Sequence, residues 1–270
     1  MSSVLIFGAS GAVGGFLLPQ LGAYYKVTAV SRVPRVGWMT GDLNDARLAW
    51  PVADIVLSLG PLDAFSGWLE RQTATPRRVI ALSSMSAESK RASPDAGERA
   101  LAERLRASEV RVLELGAQRH IDCTIFRPTL IYGTGTDRSL APIARFARRW
   151  HILPIPIGAT GLRQPVHAAD LAKACAAALE QSAAYGKVYA LGGGERLSFN
   201  SMLWRIRSTV PGPVLPVPVP LFALRLSGGL GAAALARLRE PLVADNTDAA
   251  RDFGYAPGAF LAQDVLPGSA

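Results

Sequence analysis

Cysteine is nearly absent, with two in 270 residues. That excludes a disulfide scaffold and a Cys-rich zinc module. The two present, Cys123 in an apolar run and Cys175 in an Ala-rich helical pattern, read as reduced core residues. Histidine is as scarce: His120, His151 and His167 lack spaced acidic partners, so no metal site is expected. No window reaches the about 18 uninterrupted apolar residues of a spanning helix. The nearest, Val214 to Leu238, is broken by Pro216, Pro218, Pro220, Arg225 and Gly228-Gly229, and reads as a Pro-rich connector leading into a helix. The start, MSSVLIFGAS, has no basic n-region and too short an apolar run for a signal peptide, so a cytoplasmic location is expected. Long-period repeats and heptads are missing. So are a helix-turn-helix, a zinc finger and an aromatic nucleic-acid platform; no nucleic-acid partner is expected.

What is present is a globular composition. Hydrophobic residues make up 49% and charged residues 19%, which excludes disorder. The length suits one large domain or a domain with a lobe, enough for a sizeable core. The balance of 29 basic against 21 acidic residues gives +8, and only four of the 29 are Lys. Such an excess calls for an anionic partner: nucleic acid, a membrane surface or a phosphorylated small molecule.

Short apolar runs punctuate the first half. Ser3–Phe7 (SVLIF), Lys26–Ser31 (KVTAVS), Val36–Thr40, Asp54–Leu59 (DIVLSL), Arg78–Ser83 (RVIALS) and Asp122–Phe126 (DCTIF) read as strands. Helical spacing runs from about Ala12 to Ala23 and from Asp95 to about Gln118. Strands alternating with helices imply βαβ units, hence an α/β fold of Rossmann type: a doubly wound parallel sheet covered on both faces. After residue 128, Pro142, Pro154, Pro156, Pro165 and several Gly shorten the elements. Helices are expected at Ala168–Gln181, Ser198–Thr209 and Asp245–Phe253, and a strand at Lys187–Leu191. The expected organisation is a dinucleotide-binding domain, residues 1–133 with contributions from 160–195, and a smaller, dependent C-terminal lobe over 134–270. The link from Arg32 to Val36 is too short for a crossover helix, which needs a dozen or more residues; either it is a straight span or the third strand lies elsewhere.

The glycines of Gly8-Ala9-Ser10-Gly11-Ala12-Val13-Gly14 lie between the first strand and the first helix. Gly8 permits the tight turn, Gly11 lets a diphosphate approach the backbone, and Gly14 lets the helix pack on the strand. The free N–H groups and positive end of that helix face the diphosphate. At the end of the second strand an NAD binder carries an acid for the ribose 2′-OH. Here stand Ser31, Arg32, Val33, Pro34 and Arg35. Arg can clamp a 2′-phosphate that a carboxylate would repel, so NADP(H) is the preferred cofactor and NAD(H) the alternative.

These motifs resemble the extended short-chain dehydrogenase/reductase family, also called NAD-dependent epimerase/dehydratase, from Ser3 to about Thr209. The resemblance is carried by the GASGAVG loop, Gly41-Asp42-Leu43, Leu59-Gly60-Pro61, Ser83-Ser84, Arg127-Pro128-Thr129-Leu130-Ile131-Tyr132-Gly133, Arg163 through Ala172, and Tyr189 through Gly193. It implies that Asp42 and Leu43 contact adenine, that Leu59, Gly60 and Pro61 lie along the cofactor, and that Ser83 and Pro128 border it. It implies that Arg163 contacts a substrate diphosphate, the alternative being that it pairs with a carboxylate or caps the lobe. His167 and Asp170 are expected to fix their loop and cap a helix. Leu130 stands where nucleotide-sugar members carry an Asn that contacts substrate, which points to a more apolar ligand. The family often forms homodimers.

The family's proton relay is missing. It uses a Ser or Thr with Tyr and Lys in Y-x-x-x-K spacing, and no such spacing occurs in the chain. Counting from the flanking motifs puts Leu101 at the Tyr position, Leu105 at the Lys position and Met85 at the Ser/Thr position. Substitute donors are Ser84, Ser86 and Tyr132, the last a turn residue; Lys90 reads as a loop charge. The expectation is an NADP(H)-binding protein of the epimerase/dehydratase type, an oxidoreductase on a small carbonyl or alcohol with a non-standard proton donor. The alternatives are a non-catalytic sensor or regulator, or an accessory subunit of a larger complex with segment 214–224 as a contact surface. Arg145, Arg148 and Arg149 beside Trp150 read as a solvated helix face, and the remaining arginines as scattered.

Overall fold

The computed structural model describes residues 1–221, 223 and 231–266. The first half runs β1 (Ser3–Phe7), α1 (Ala12–Gly22), β2 (Lys26–Ser31), β3 (Met39–Thr40), β4 (Ile55–Ser58), α2 (Leu62–Arg71), β5 (Arg78–Leu82), α3 (Ser86–Ser89), α4 (Ala96–Arg119) and β6 (Asp122–Pro128). There follow β7 (Ile131–Tyr132), α5 (Leu140–Trp150), β8 (Ile152–Ile157), β9 (Leu162–Arg163), β10 (Val166–His167), α6 (Ala168–Ala178), β11 (Lys187–Leu191), β12 (Leu197–Ser198), α7 (Phe199–Ser208) and β13 (Leu215–Pro220). Helices at Ala232–Arg239 and Thr247–Phe253 follow, and short 3-10 turns lie at Ser182–Ala184 and Ala262–Val265.

Seven strands form one parallel sheet in the order β11-β6-β5-β4-β1-β2-β3. Alternate residues of β1 explain its two covered faces. Val4 and Ile6 join α1 and α6 residues such as Leu17, Leu171 and Cys175. Leu5 and Phe7 join Phe65 and Trp68 of α2 and Val112 and Leu115 of α4. A fully buried Arg78 opens β5. Its guanidinium donates to the carbonyls of Leu179, Val79, Asp122 and Ala178 and to Thr124 Oγ1, tying α6 to the foot of β5 and β6. Burial lowers its pKa. Asp95 caps α4 by accepting from Glu98 N at 2.8 Å, and His120 in the left-handed region ends it.

Two expectations change, and one element, α2, is added to those read from the sequence. The third strand is not Val36–Thr40 but the pair Met39–Thr40, and no helix links it to β2. The span 32–38 closes with Trp38 N–H donating to Arg35 O at 3.1 Å. Trp38 packs against the α1-side core, covering part of the face a crossover helix would cover. The added α2 follows the Gly60-Pro61 turn, with Leu62, Phe65 and Leu69 on its buried side. The second change is at 215–220, not a connector but a strand, paired in parallel with β8. Both strands carry Pro at alternate positions. A two-stranded sheet tolerates this because each strand has one free edge, to which the missing N–H can point.

The lobe is built from two excursions. The chain leaves the sheet after β6, forms α5, β8 and β9, and returns through β10, α6 and β11; it leaves again for β12, α7, β13 and the last helices. Its two small cores centre on Tyr132, Met202 and Phe260, and on Leu153, Leu203 and Val214. Among the described residues, no helix is long and apolar enough to cross a membrane.

Candidate functional site

β2 lies on one side of β1 and β4 on the other, so the sheet's winding reverses at β1. Open α/β sheets bind ligands at that reversal, beyond the carboxyl ends of the strands. A cleft of about 290 Å³ lies there. It brings together Gly8, Ser10, Gly11, Ser31, Arg32, Asp42, Leu43, Leu59, Gly60 and Pro61 from four separate stretches of sequence.

The loop geometry follows from two positions without side chains. Gly8 holds φ +72°, and a Cβ there would stand 2.8 Å from the Leu59 carbonyl carbon. A Cβ on Gly14 would stand 2.1 Å from Ala9 O, so α1 reaches the strand only because that atom is missing. Gly11 is the N-cap of α1, with no side-chain cap and no acid in the first turn. The positive end of the helix therefore stands uncompensated beside the cleft.

The polar lining sorts by sign. Among the described residues, Arg32 is the only cation lining the cleft and Asp42 the only acid. The Asp42 carboxylate turns to its own loop, accepting from Asn44 N at 2.9 Å and Asn44 Nδ2 at 3.1 Å. Arg35 lies elsewhere: its guanidinium stacks on Trp38 at 5.3 Å from the ring centroid, and it does not line the cleft. Val13 and Pro128 are buried behind the lining, and Gly14 is in contact with Ala9. The Ser83 hydroxyl donates to Glu109. Glu109, almost fully buried, also accepts from Arg127, which in turn donates to Glu88 at 2.9 Å. Hydrogen bonding to Glu109 raises the Arg127 pKa. This network braces the ends of β5 and β6 from below.

A second pocket, of about 630 Å³, shares Gly11 with the first. It is lined by Ala12, Ser84, Met85, Ser86, Thr129, Leu130, Ile131, Thr136, Asp137, Arg138, Ser139 and Leu242. Ser84 and Ser86 are thus both at the site. The Ser84 oxygen accepts from Ser86 N at 3.1 Å, which leaves its own proton to donate. Tyr132 is not in the pocket. It is buried, its oxygen accepts from Leu261 N at 3.0 Å, and burial pushes its pKa up to about 12. Neither Leu101 nor Leu105 lines the pocket, nor does any Lys or Tyr. Lys90 pairs with Glu98 at 3.5 Å. The acid present, Asp137, accepts from the N–H groups of Ser139, Leu140 and Ala141 at the start of α5.

Arg163 is buried in the lobe, donating to the carbonyls of Leu162, Glu240 and Arg237 beneath Phe199. Its donors face the backbone, the lobe-capping geometry, and it does not line the pocket. His167 caps α6 through Nδ1, which accepts from Ala169 N at 3.1 Å, and Asp170 accepts from Gly258 N at 3.0 Å. The sequence reading missed Arg138. It is exposed at the pocket and has no hydrogen bond or ion pair among the described residues. Only its place after the Tyr132-Gly133 turn could have pointed to it. Among the described residues, no group of His, Cys, Asp and Glu could hold a metal ion.

Residues 71–192 match the model of the NAD dependent epimerase/dehydratase family. Over 73 residues the chain is 41% identical to NADH dehydrogenase (ubiquinone) 1 alpha subcomplex subunit 9, mitochondrial, of Arabidopsis thaliana; the stretch is 27% of this chain and spans only 18% of that relative. Human epimerase family protein SDR39U1, solved with NADPH, matches with a TM-score of 0.73 at 16% identity, covering 98% of this chain and 97% of that one. UDP-glucuronic acid 4-epimerase from Bacillus cereus, solved with NAD, matches with a TM-score of 0.75 at 15% identity, covering 99% and 96%. The motifs between residues 71 and 192 are thus met by a match to the family model, and the α/β Rossmann architecture by the shared fold.

Proposed function

We propose that this chain is an NADP(H)-binding protein of the epimerase/dehydratase type that holds the nicotinamide against a pocket without the family's proton relay. The observation that carries the reading is Arg32: among the described residues it is the sole cation lining the cleft, at the end of β2, where an NAD binder carries an acid. The open N-terminus of α1 would hold the diphosphate. Asp42, Leu43 and the Leu59-Gly60-Pro61 turn would hold adenine. Gly11, shared by both pockets, would border the path of the nicotinamide into the second. When bound, NADPH would supply a hydride. The chain's residues would supply apolar contact from Met85, Leu130, Ile131 and Leu242, hydroxyl donors at Ser84 and Ser86, and a cation at Arg138. That lining suits a small carbonyl compound with an apolar body and one anionic end. Calorimetric titration with NADPH and NADH tests the cofactor reading; equal affinity, or no binding, would overturn it.

A second reading is supported by the Arabidopsis match: a non-catalytic NADP(H) holder within a larger assembly, where the dinucleotide serves structure or sensing. Absorbance at the NADPH band with a panel of carbonyl acids separates the two. Turnover abolished by Ser84→Ala favours the oxidoreductase. Tight binding with no turnover across the panel favours the holder.

A further inference from the structure

The charge excess is not scattered. Residues 138–169 and 196–239 together hold eleven Arg, no Lys and no Asp or Glu, which leaves 18 basic against 21 acidic residues, or −3, for the rest of the chain. The whole positive excess lies in two stretches, and these build α5, β8, β9, β12, α7, β13 and the Ala232–Arg239 helix. Some of the eleven are used inside the protein: Arg163 is buried, Arg205 pairs with Glu195 and Arg237 with Glu98. Arg148 and Arg149 have no carboxylate partner among the described residues, and Arg145 donates to Gly135 O.

The same elements expose apolar surface. A groove of about 320 Å³ is lined by Ile143, Phe146, Leu153, Pro154, Phe199 and Leu203 together with two further prolines, with no polar residue among them. Around it, Phe146 is 43% exposed, Trp150 59%, Trp204 45% and Leu215 63%, and Ile152, paired in register with Leu215, is 39% exposed. On α5, Pro142, Phe146 and Trp150 follow at four-residue steps and form one stripe. At 100° per residue, Arg149 borders the stripe and Arg145 lies on its flank, whereas Arg148 falls on the far side of the helix. Two Trp are stacked by Arg: Arg149 over Trp150 at 5.2 Å and Arg207 over Trp204 at 5.4 Å. Trp at headgroup depth, beside Arg for lipid phosphates and aliphatic surface for the acyl boundary, is the chemistry of an interfacial anchor.

We propose that this lobe face, centred on α5 and the β8/β13 pair, docks on an anionic phospholipid bilayer, leaving the dinucleotide cleft in water. Charge complementarity selects the occupant, because α5, β8 and β13 contribute arginine and apolar side chains but no acid of their own, which matches a negative surface with an apolar interior. The proposal stands independently of the cofactor reading.

The test is flotation of the full chain with vesicles of phosphatidylcholine alone and of equal parts phosphatidylcholine and phosphatidylglycerol. Binding is expected to the mixed vesicles only, and to weaken with added salt. Arg149→Ala should lower the apparent affinity about fivefold, and Phe146→Ser/Trp150→Ser should abolish binding, with urea midpoints unchanged. Brominated lipid should quench wild-type Trp fluorescence, and the Trp150→Phe variant should lose part of that quenching. The proposal is overturned by absence of binding to the mixed vesicles, by equal binding to phosphatidylcholine alone, or by binding indifferent to these variants. A dimer dispersed by Phe146→Ser/Trp150→Ser without vesicle binding would assign the face to a second copy of the chain and also overturn it.

Discussion

Gly14 has no room for one more carbon, because the atom it would meet is the Ala9 carbonyl oxygen, and backbone cannot step aside as a side chain does. Gly14→Ala should therefore cost stability in the range of overpacked cores, about 1–3 kcal/mol, and weaken NADPH binding by shifting the start of α1. Urea unfolding with and without NADPH reads both. Arg32→Ala removes the cleft's lining cation. It should weaken NADPH binding about ten- to a hundredfold, the range for a hydrogen bond to a charged group, and leave NADH unchanged; calorimetry with both nucleotides decides. Tyr132→Phe leaves the Leu261 N–H without its acceptor. The expected loss is about 1–3 kcal/mol of stability with no change in any turnover. A loss of turnover at unchanged stability would make Tyr132 a proton donor after all.

At the level of elements, the helix Thr247–Phe253 is tied to β11 by Asp252, whose carboxylate accepts from Lys187 at 2.8 Å, Tyr189 at 2.7 Å and Arg251 at 2.9 Å. These donors, Lys187 foremost, hold its carboxyl well below the usual carboxylate range. The folded pKa lies below the unfolded value of about 3.9. The contribution is therefore complete above the unfolded pKa and is lost as pH falls through it toward the folded pKa. Asp252→Asn should cost most near neutral pH, and its deficit should shrink below about pH 4, measured by urea unfolding across that range. Elements such as these differ in how openly the sequence announces them. β1 and β5 are legible because burial on both faces demands an unbroken apolar run, and the glycine loop because each glycine answers a separate steric need. α2 is not, because its apolar spacing starts directly after Gly60-Pro61, where the strand's run has only just ended. β13 is not, because alternating prolines argue against a ladder unless its partner is known to be a lone strand with a free edge. Arg35 and Arg163 look like anion ligands in sequence, and only geometry shows that one stacks on Trp38 and the other faces carbonyls.

For the whole molecule, the sheet cannot be assembled from the first half of the chain. Its edge strand β11 and its covering helix α6 come from residues beyond the first lobe excursion. A chain stopped after residue 133 should fail to give a cooperative unfolding transition by circular dichroism, because the α1-side core would lack Leu171, Cys175, Tyr189 and Leu191. The same interleaving sets a schedule during synthesis. α1 is complete at residue 22, but α6, the helix that covers it, ends at residue 178. At about 5–20 residues per second, the ribosome takes roughly 8 to 30 s to make the intervening chain. For that interval Val13, Leu17 and Leu21 have no helix to lie against, so the nascent chain offers a chaperone a binding segment at α1, and releases it only when α6 arrives.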